Sequence, residues 1–180
     1  EIPEAINEYN TVLQIFPELQ GVRAQLGLCY MRQEDYERAA EAFQEAVGET
    51  QDHYRVRNNL GVALLVRGDY ETAEGLLKQA VEGQPSYAPG RYNLALLYFR
   101  TGMYEDARTH FEEYLKMRPD NLEALQLYTH VLIQLSEWEM AARLLLQTAA
   151  DSPKAAPVHF KLAQVLSQLK QGDDAMEALE

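Results

Sequence analysis

Residues able to do bond chemistry are sparse in this chain. Its four histidines, His53, His110, His130 and His159, stand far apart, with no HExxH pair and no carboxylate at ligand spacing. There is no glycine-rich phosphate loop and no GxSxG turn, and the lone Cys29 can neither close an intramolecular disulfide nor build a zinc site. The sequence therefore predicts no catalytic residue, no metal and no cofactor. Its polar side chains are better suited to recognition. Asn58 and Asn59 stand side by side before the apolar run Leu60 to Leu64, and Asn93 follows Asn59 by 34 residues. A carboxamide donates and accepts together, so it matches a peptide bond.

The elements that carry these residues repeat. Alanines stand at Ala5, Ala39, Ala73, Ala107, Ala141 and Ala175, each 34 residues after the last. Tyr36, Tyr70, Tyr104 and Trp138 follow the same period, as do Pro17, Pro85, Pro119 and Pro153, with Gln51 the exception. Each unit holds two helical stretches split by a short turn, for example Arg55 to Arg67, Gly68-Asp69, then Tyr70 to Glu82. Apolar residues step by three and four along both stretches (Val56, Leu60, Leu64; Ala73, Leu77, Ala80), giving each helix one buried stripe. Gly61 and Ala73 let two antiparallel helices approach closely, and the prolines end the second helix.

This pattern resembles the tetratricopeptide repeat (TPR), and Leu26, Gly27, Tyr30, Ala39, Phe43 and Ala46 reproduce it within one unit. The resemblance implies an all-α, right-handed superhelical solenoid of antiparallel helix pairs, a single array over 1–180. Residues 1–19 hold the second helix of a partial repeat. Full repeats cover 20–53, 54–87, 88–121 and 122–155, and a partial repeat covers 156–180. Glu34, Ser136 and Lys170 replace the turn glycine, and Gly172 takes the aromatic position of the last unit. Both ends fall in mid-repeat without polar caps, so exposed apolar ends and self-association are expected.

In TPR proteins the first helix of each pair lines the concave side. The five first helices here (20–33, 54–67, 88–101, 122–135, 156–169) hold eight basic residues against the single acid Glu123, a net charge of plus 7 in a chain of net charge minus 12. Arg32, Arg67 and Arg100 complement helix C-termini, which is one explanation. Arg23, Arg57 and Arg91 form a like-charged column that calls for neighbouring glutamates or an acidic ligand.

By helical phase Leu28, Val62 and Leu96 form an inward column, continued by His130 and Gln164. Met31, Leu65, Phe99 and Ile133 form a second, which serves either the groove floor or the core between repeats. Tyr92 and Phe160 extend this floor, and Arg32, Arg55, Arg100, Asn59, Asn93 and Lys161 edge it. In several TPR proteins an asparagine at the Asn59 position bonds the backbone of a bound peptide. The resemblance thus implies a peptide-binding scaffold, with Asn59 and Asn93 on backbone, Arg55, Arg100 and Lys161 on carboxylates, and Leu28, Val62, Leu96 and Tyr92 on apolar anchors. His130 is the titratable group inside the groove, and Asn58 reads as a polar groove or helix-edge residue. The chaperone-tail carboxylate clamp of other TPR proteins does not fit, since Ala24, Leu28, Pro89 and Asn93 stand where it needs Lys, Asn, Lys and Arg.

The expected partner is a protein segment of acidic and apolar character. A structural or self-assembling role, or an adaptor domain of a longer enzyme, is the alternative. Net charge argues against nucleic acid, and no apolar run is long enough for membrane insertion. A cytoplasmic location is favoured over a periplasmic or secreted one.

Overall fold

The computed structural model describes residues 1–48, 53–151 and 161–170. Phe160, His159, Gln51, Pro153, Gly172 and Ala175 lie outside them. All regular structure among the described residues is helical, so the chain is an all-α repeat array. The contacts gather into two compact units, 1–97 and 98–180.

The first unit contains α1 (Ile2–Ile15), α2 (Val22–Arg32), α3 (Tyr36–Ala46), α4 (His53–Arg67), α5 (Tyr70–Gly83) and most of α6 (Ala88–Arg100). The second contains the end of α6, α7 (Tyr104–Met117), α8 (Leu122–Gln134), α9 (Trp138–Asp151) and α10 (161–170).

Within each helix pair the turn has one chemistry. One or two residues after the first helix the backbone is left-handed, with φ of 60° at Glu34, 86° at Gly68, 75° at Gly102 and 60° at Ser136. That conformation returns the next amide to the last helical turn, as in Asp35 N–H to Tyr30 O (3.0 Å), Asp69 N–H to Leu64 O (3.0 Å) and Glu137 N–H to Leu132 O (2.8 Å). Asp35 and Asp69 then cap the second helix by accepting from the Arg38 and Thr72 amides. Glu34 and Ser136 therefore do the work of glycine at some conformational cost.

Prolines close the pairs. Phe16, Gln84 and Arg118 each precede one and are held extended, with φ between −130° and −145°, so α1, α5 and α7 stop there. In the repeat that has Gln51 instead, α3 ends three residues earlier in register than α5.

The core of the first unit packs large side chains against absent ones. A Cβ on Gly27 would stand 2.7 Å from the Phe43 ring, and one on Gly61 would stand 2.8 Å from Leu77 Cγ. Phe43 and Leu77 are fully buried because these two positions have no side chain. Ala39, Ala46, Ala73 and Ala80 are fully buried beside them, as the alanine period predicts. Ala107, Phe111, Val131, Leu132 and Ala141 form the corresponding core of the second unit. Cys29 is buried. Tyr70, which opens α5, is 42% exposed.

Candidate functional site

In the first unit the three asparagines of α4 and α6 form one chain of amides. Asn58 donates from Nδ2 to Asn59 Oδ1 (3.2 Å) and accepts at Oδ1 from Asn93 Nδ2 (2.9 Å). Asn58 itself is only 3% exposed, whereas Asn59 and Asn93 are half-buried. The expectation that Asn58 is a groove or helix-edge residue is therefore wrong. At the helical phase of α4 its side chain points at the neighbouring first helix, where an isolated polar group would cost about 1–3 kcal/mol, and Asn93 removes that cost. The sequence did carry a signal: an asparagine one position before Asn59, facing Asn93 one repeat later.

The bridge sets the polarity of its two neighbours. Asn59 turns its oxygen inward and Asn93 turns its nitrogen inward, so the Asn59 amide N–H group and the Asn93 oxygen are left without partners among the described residues. One end of the chain offers a donor and the other an acceptor.

The flanking residues vary in how they fit the expected lining. Leu28 is 37% exposed, while Val62, Tyr92 and Leu96 are half-buried. Arg55 is exposed, with Nε donating to Tyr54 Oη (3.1 Å) and its guanidinium 5.7 Å from the Tyr54 ring centroid. Tyr54 in turn meets Tyr87 edge to face at 5.0 Å. Burial raises the Tyr87 phenol pKa, partly offset by Arg55. The second inward column resolves toward core at Leu65, which is 2% exposed, and Met31 is half-buried.

The basic column divides. Arg23 binds Glu45 Oε2 (3.0 Å) and the Pro17 carbonyl (2.7 Å), so its charge is answered within the fold. Arg67, at the end of α4, pairs with Glu37 at 2.8 Å. Arg91 keeps a buried Nε without a hydrogen-bond partner among the described residues.

In the second unit Arg100 is exposed, and His130 and Lys161 line a pocket of 630 Å³ beside Ile133, Gln134, Trp138 and Gln164. The His130 ring lies edge to face with Phe99 at 5.2 Å, and its Nε2 is 3.2 Å from Gln134 Nε2. Burial, and then the Lys161 ammonium, lower the His130 pKa from its ordinary value. Ile133 and Phe99 are half-buried here. No group of three or more His, Cys, Asp or Glu side chains that could hold a metal occurs among the described residues. No helix among them is long and apolar enough to cross a membrane.

Two tetratricopeptide repeat models match, one over residues 23–89 and one over 64–131, so together they span the amide chain and its flanks. The chain belongs to the tetratricopeptide repeat family. Residues 100–180 also match the model of the anaphase-promoting complex, cyclosome, subunit 3.

Solved TPR structures share the fold. A MamA protein is 22% identical, with 87% of this chain and 85% of that one covered and a TM-score of 0.76. YrrB, described as a TPR protein with an unusual peptide-binding site, is 19% identical over 89% and 82%, with a TM-score of 0.75. The first TPR of Spaghetti (RPAP3), solved with the HSP90 peptide SRMEEVD, is 21% identical over 64% and 91%, with a TM-score of 0.61. No curated protein matches the chain.

Proposed function

We propose that this TPR array is a protein-interaction scaffold that holds an extended segment of a partner protein against its first helices. The observation that carries this reading is the Asn59–Asn58–Asn93 chain, which leaves one amide N–H group and one amide oxygen on adjacent helices. A peptide backbone presents the complementary pair, a carbonyl for Asn59 and an N–H for Asn93. Arg55 and Arg100 attract carboxylates at the edge, and Leu28, Val62, Leu96 and Tyr92 give the segment apolar purchase. Solved TPR structures that include a bound peptide add support by analogy of fold.

The test starts from peptides selected on the protein from a random library. The double substitution Asn59→Ala/Asn93→Ala should weaken their binding by about 5- to 150-fold, since two backbone hydrogen bonds are worth about 1–3 kcal/mol together. Unchanged affinity would sink the ladder. Affinity that does not fall with added salt would sink the role of the basic edge.

A second reading has an observation of its own. Ile15, Phe16 and Leu19 at the end of α1 are 63%, 60% and 48% exposed, an apolar patch suited to self-association. Light scattering over a concentration series separates the two, because self-association through this patch needs no peptide.

A further inference from the structure

We propose that the pocket between α8 and α10 receives the carboxylate of an aspartate or glutamate side chain in a partner segment bound at the second unit. This inference rests on the peptide-binding reading above, applied to the second unit by itself.

The lining carries the argument. The 630 Å³ pocket presents the Lys161 ammonium, the His130 imidazole, the amides of Gln134 and Gln164 and the Trp138 indole, and no acid lines it among the described residues. In a protein with 28 acidic and 16 basic residues, a concavity whose described lining holds no acid is a distinct surface. Every polar group in it can donate a hydrogen bond. Lys161 is half-buried and has no ion pair among the described residues, and its ammonium suits a ligand carboxylate.

Charge matching selects a carboxylate over a phosphate. Burial, and then Lys161, lower the His130 pKa and so favour its neutral ring, which leaves the Lys161 ammonium as the charge in the described lining. Among the described residues the groups facing His130 are Phe99 from the end of α6, Gln134 from α8 and Lys161 from α10, and Lys161 is the only charged one of these. The pocket is much larger than a carboxylate, and Ile133, Trp138 and Val165 give its remaining wall an apolar surface for the side-chain stem.

The test uses three short peptides, acetylated at the N-terminus, and follows the histidine ring signals by NMR, with His130→Gln assigning the resonance. One peptide has a Leu-Glu-Leu centre and an amidated end. The second has Gln for Glu, and the third is the Gln peptide with a free C-terminus. The Glu peptide should raise the His130 pKa by about one unit and bind about tenfold more weakly to Lys161→Gln, while the Gln peptide is indifferent to that change. Equal binding of the Glu and Gln peptides, no effect of Lys161→Gln, or a His130 response only to the free C-terminus would each overturn the assignment. So would tighter binding of inorganic phosphate than of the Glu peptide. The side-chain amide signals of Asn59 and Asn93 separate this from the broader reading. If both peptides shift them while His130 is silent, the pocket fails and the amide ladder stands. If only His130 responds, the ladder fails instead.

Discussion

The bridging amide predicts that Asn58→Asp makes the protein's stability depend on pH in a way the parent's does not. The exchange replaces Nδ2 by an oxygen of nearly the same size. The new carboxyl still accepts from Asn93 Nδ2, held at 2.9 Å in the parent, but it faces the Asn59 oxygen at 3.2 Å with nothing to donate once ionised. With 3% exposure at this position water cannot compensate. The lost bond costs about 0.5–1.5 kcal/mol, and the buried acceptor left facing another acceptor about 1–3 kcal/mol more.

Protonation restores the missing donor, so the folded protein binds the proton more tightly than the unfolded chain, whose carboxyl titrates near pH ~3.9. Because the folded pKa is raised, stability relative to the parent is best at low pH. It falls as pH rises from the unfolded value through the folded one, and is lowest above it. A shift of about two units corresponds to roughly 2.7 kcal/mol. Urea titrations of parent and variant at matched pH values between ~4 and ~8 measure the difference directly, since every other titrating group is shared. A variant that tracks the parent across that range would refute the buried bridge. Asn58→Leu is the companion measurement. It removes donor and acceptor together and adds apolar burial, so it should stay within about 1 kcal/mol of the parent. It should also release the Asn93 amide, seen as faster exchange of its NH₂ signals.

Two packing predictions accompany this one. Gly61→Ala places a methyl 2.8 Å from Leu77 Cγ and should destabilise by about 1–3 kcal/mol in thermal or urea unfolding, and an unchanged midpoint would show that α4 and α5 are less tightly packed. Glu34→Gly and Ser136→Gly relieve left-handed residues with φ of 60° and should each stabilise by about 0.5–1 kcal/mol, whereas a loss of stability would mean that those side chains make contacts outweighing the strain.

The framework of this protein is legible in its sequence because it depends on local size and local backbone chemistry. A glycine or alanine beside a large residue at fixed spacing dictates the approach of two helices, as at Gly27 with Phe43 and Gly61 with Leu77. The turn and the prolines set helix ends through φ alone. Repetition every 34 residues multiplies each weak signal, which is why the helix boundaries and the buried alanines could be read from the sequence.

The candidate residues could be named from the sequence, but their neighbours could not. Sequence phase singled out Asn59 and Asn93, but a hydrogen bond joins atoms of different repeats, and its geometry depends on the rotation between neighbouring helices. Only the tertiary structure decided that Asn58 is the buried link, that Arg23 is answered by Glu45, and that His130 and Lys161 share one pocket. Sequence fixed which helices form because helix formation and pairing are short-range. Tertiary structure decided which polar groups remain available, because each one's neighbours come from a different turn of the repeat.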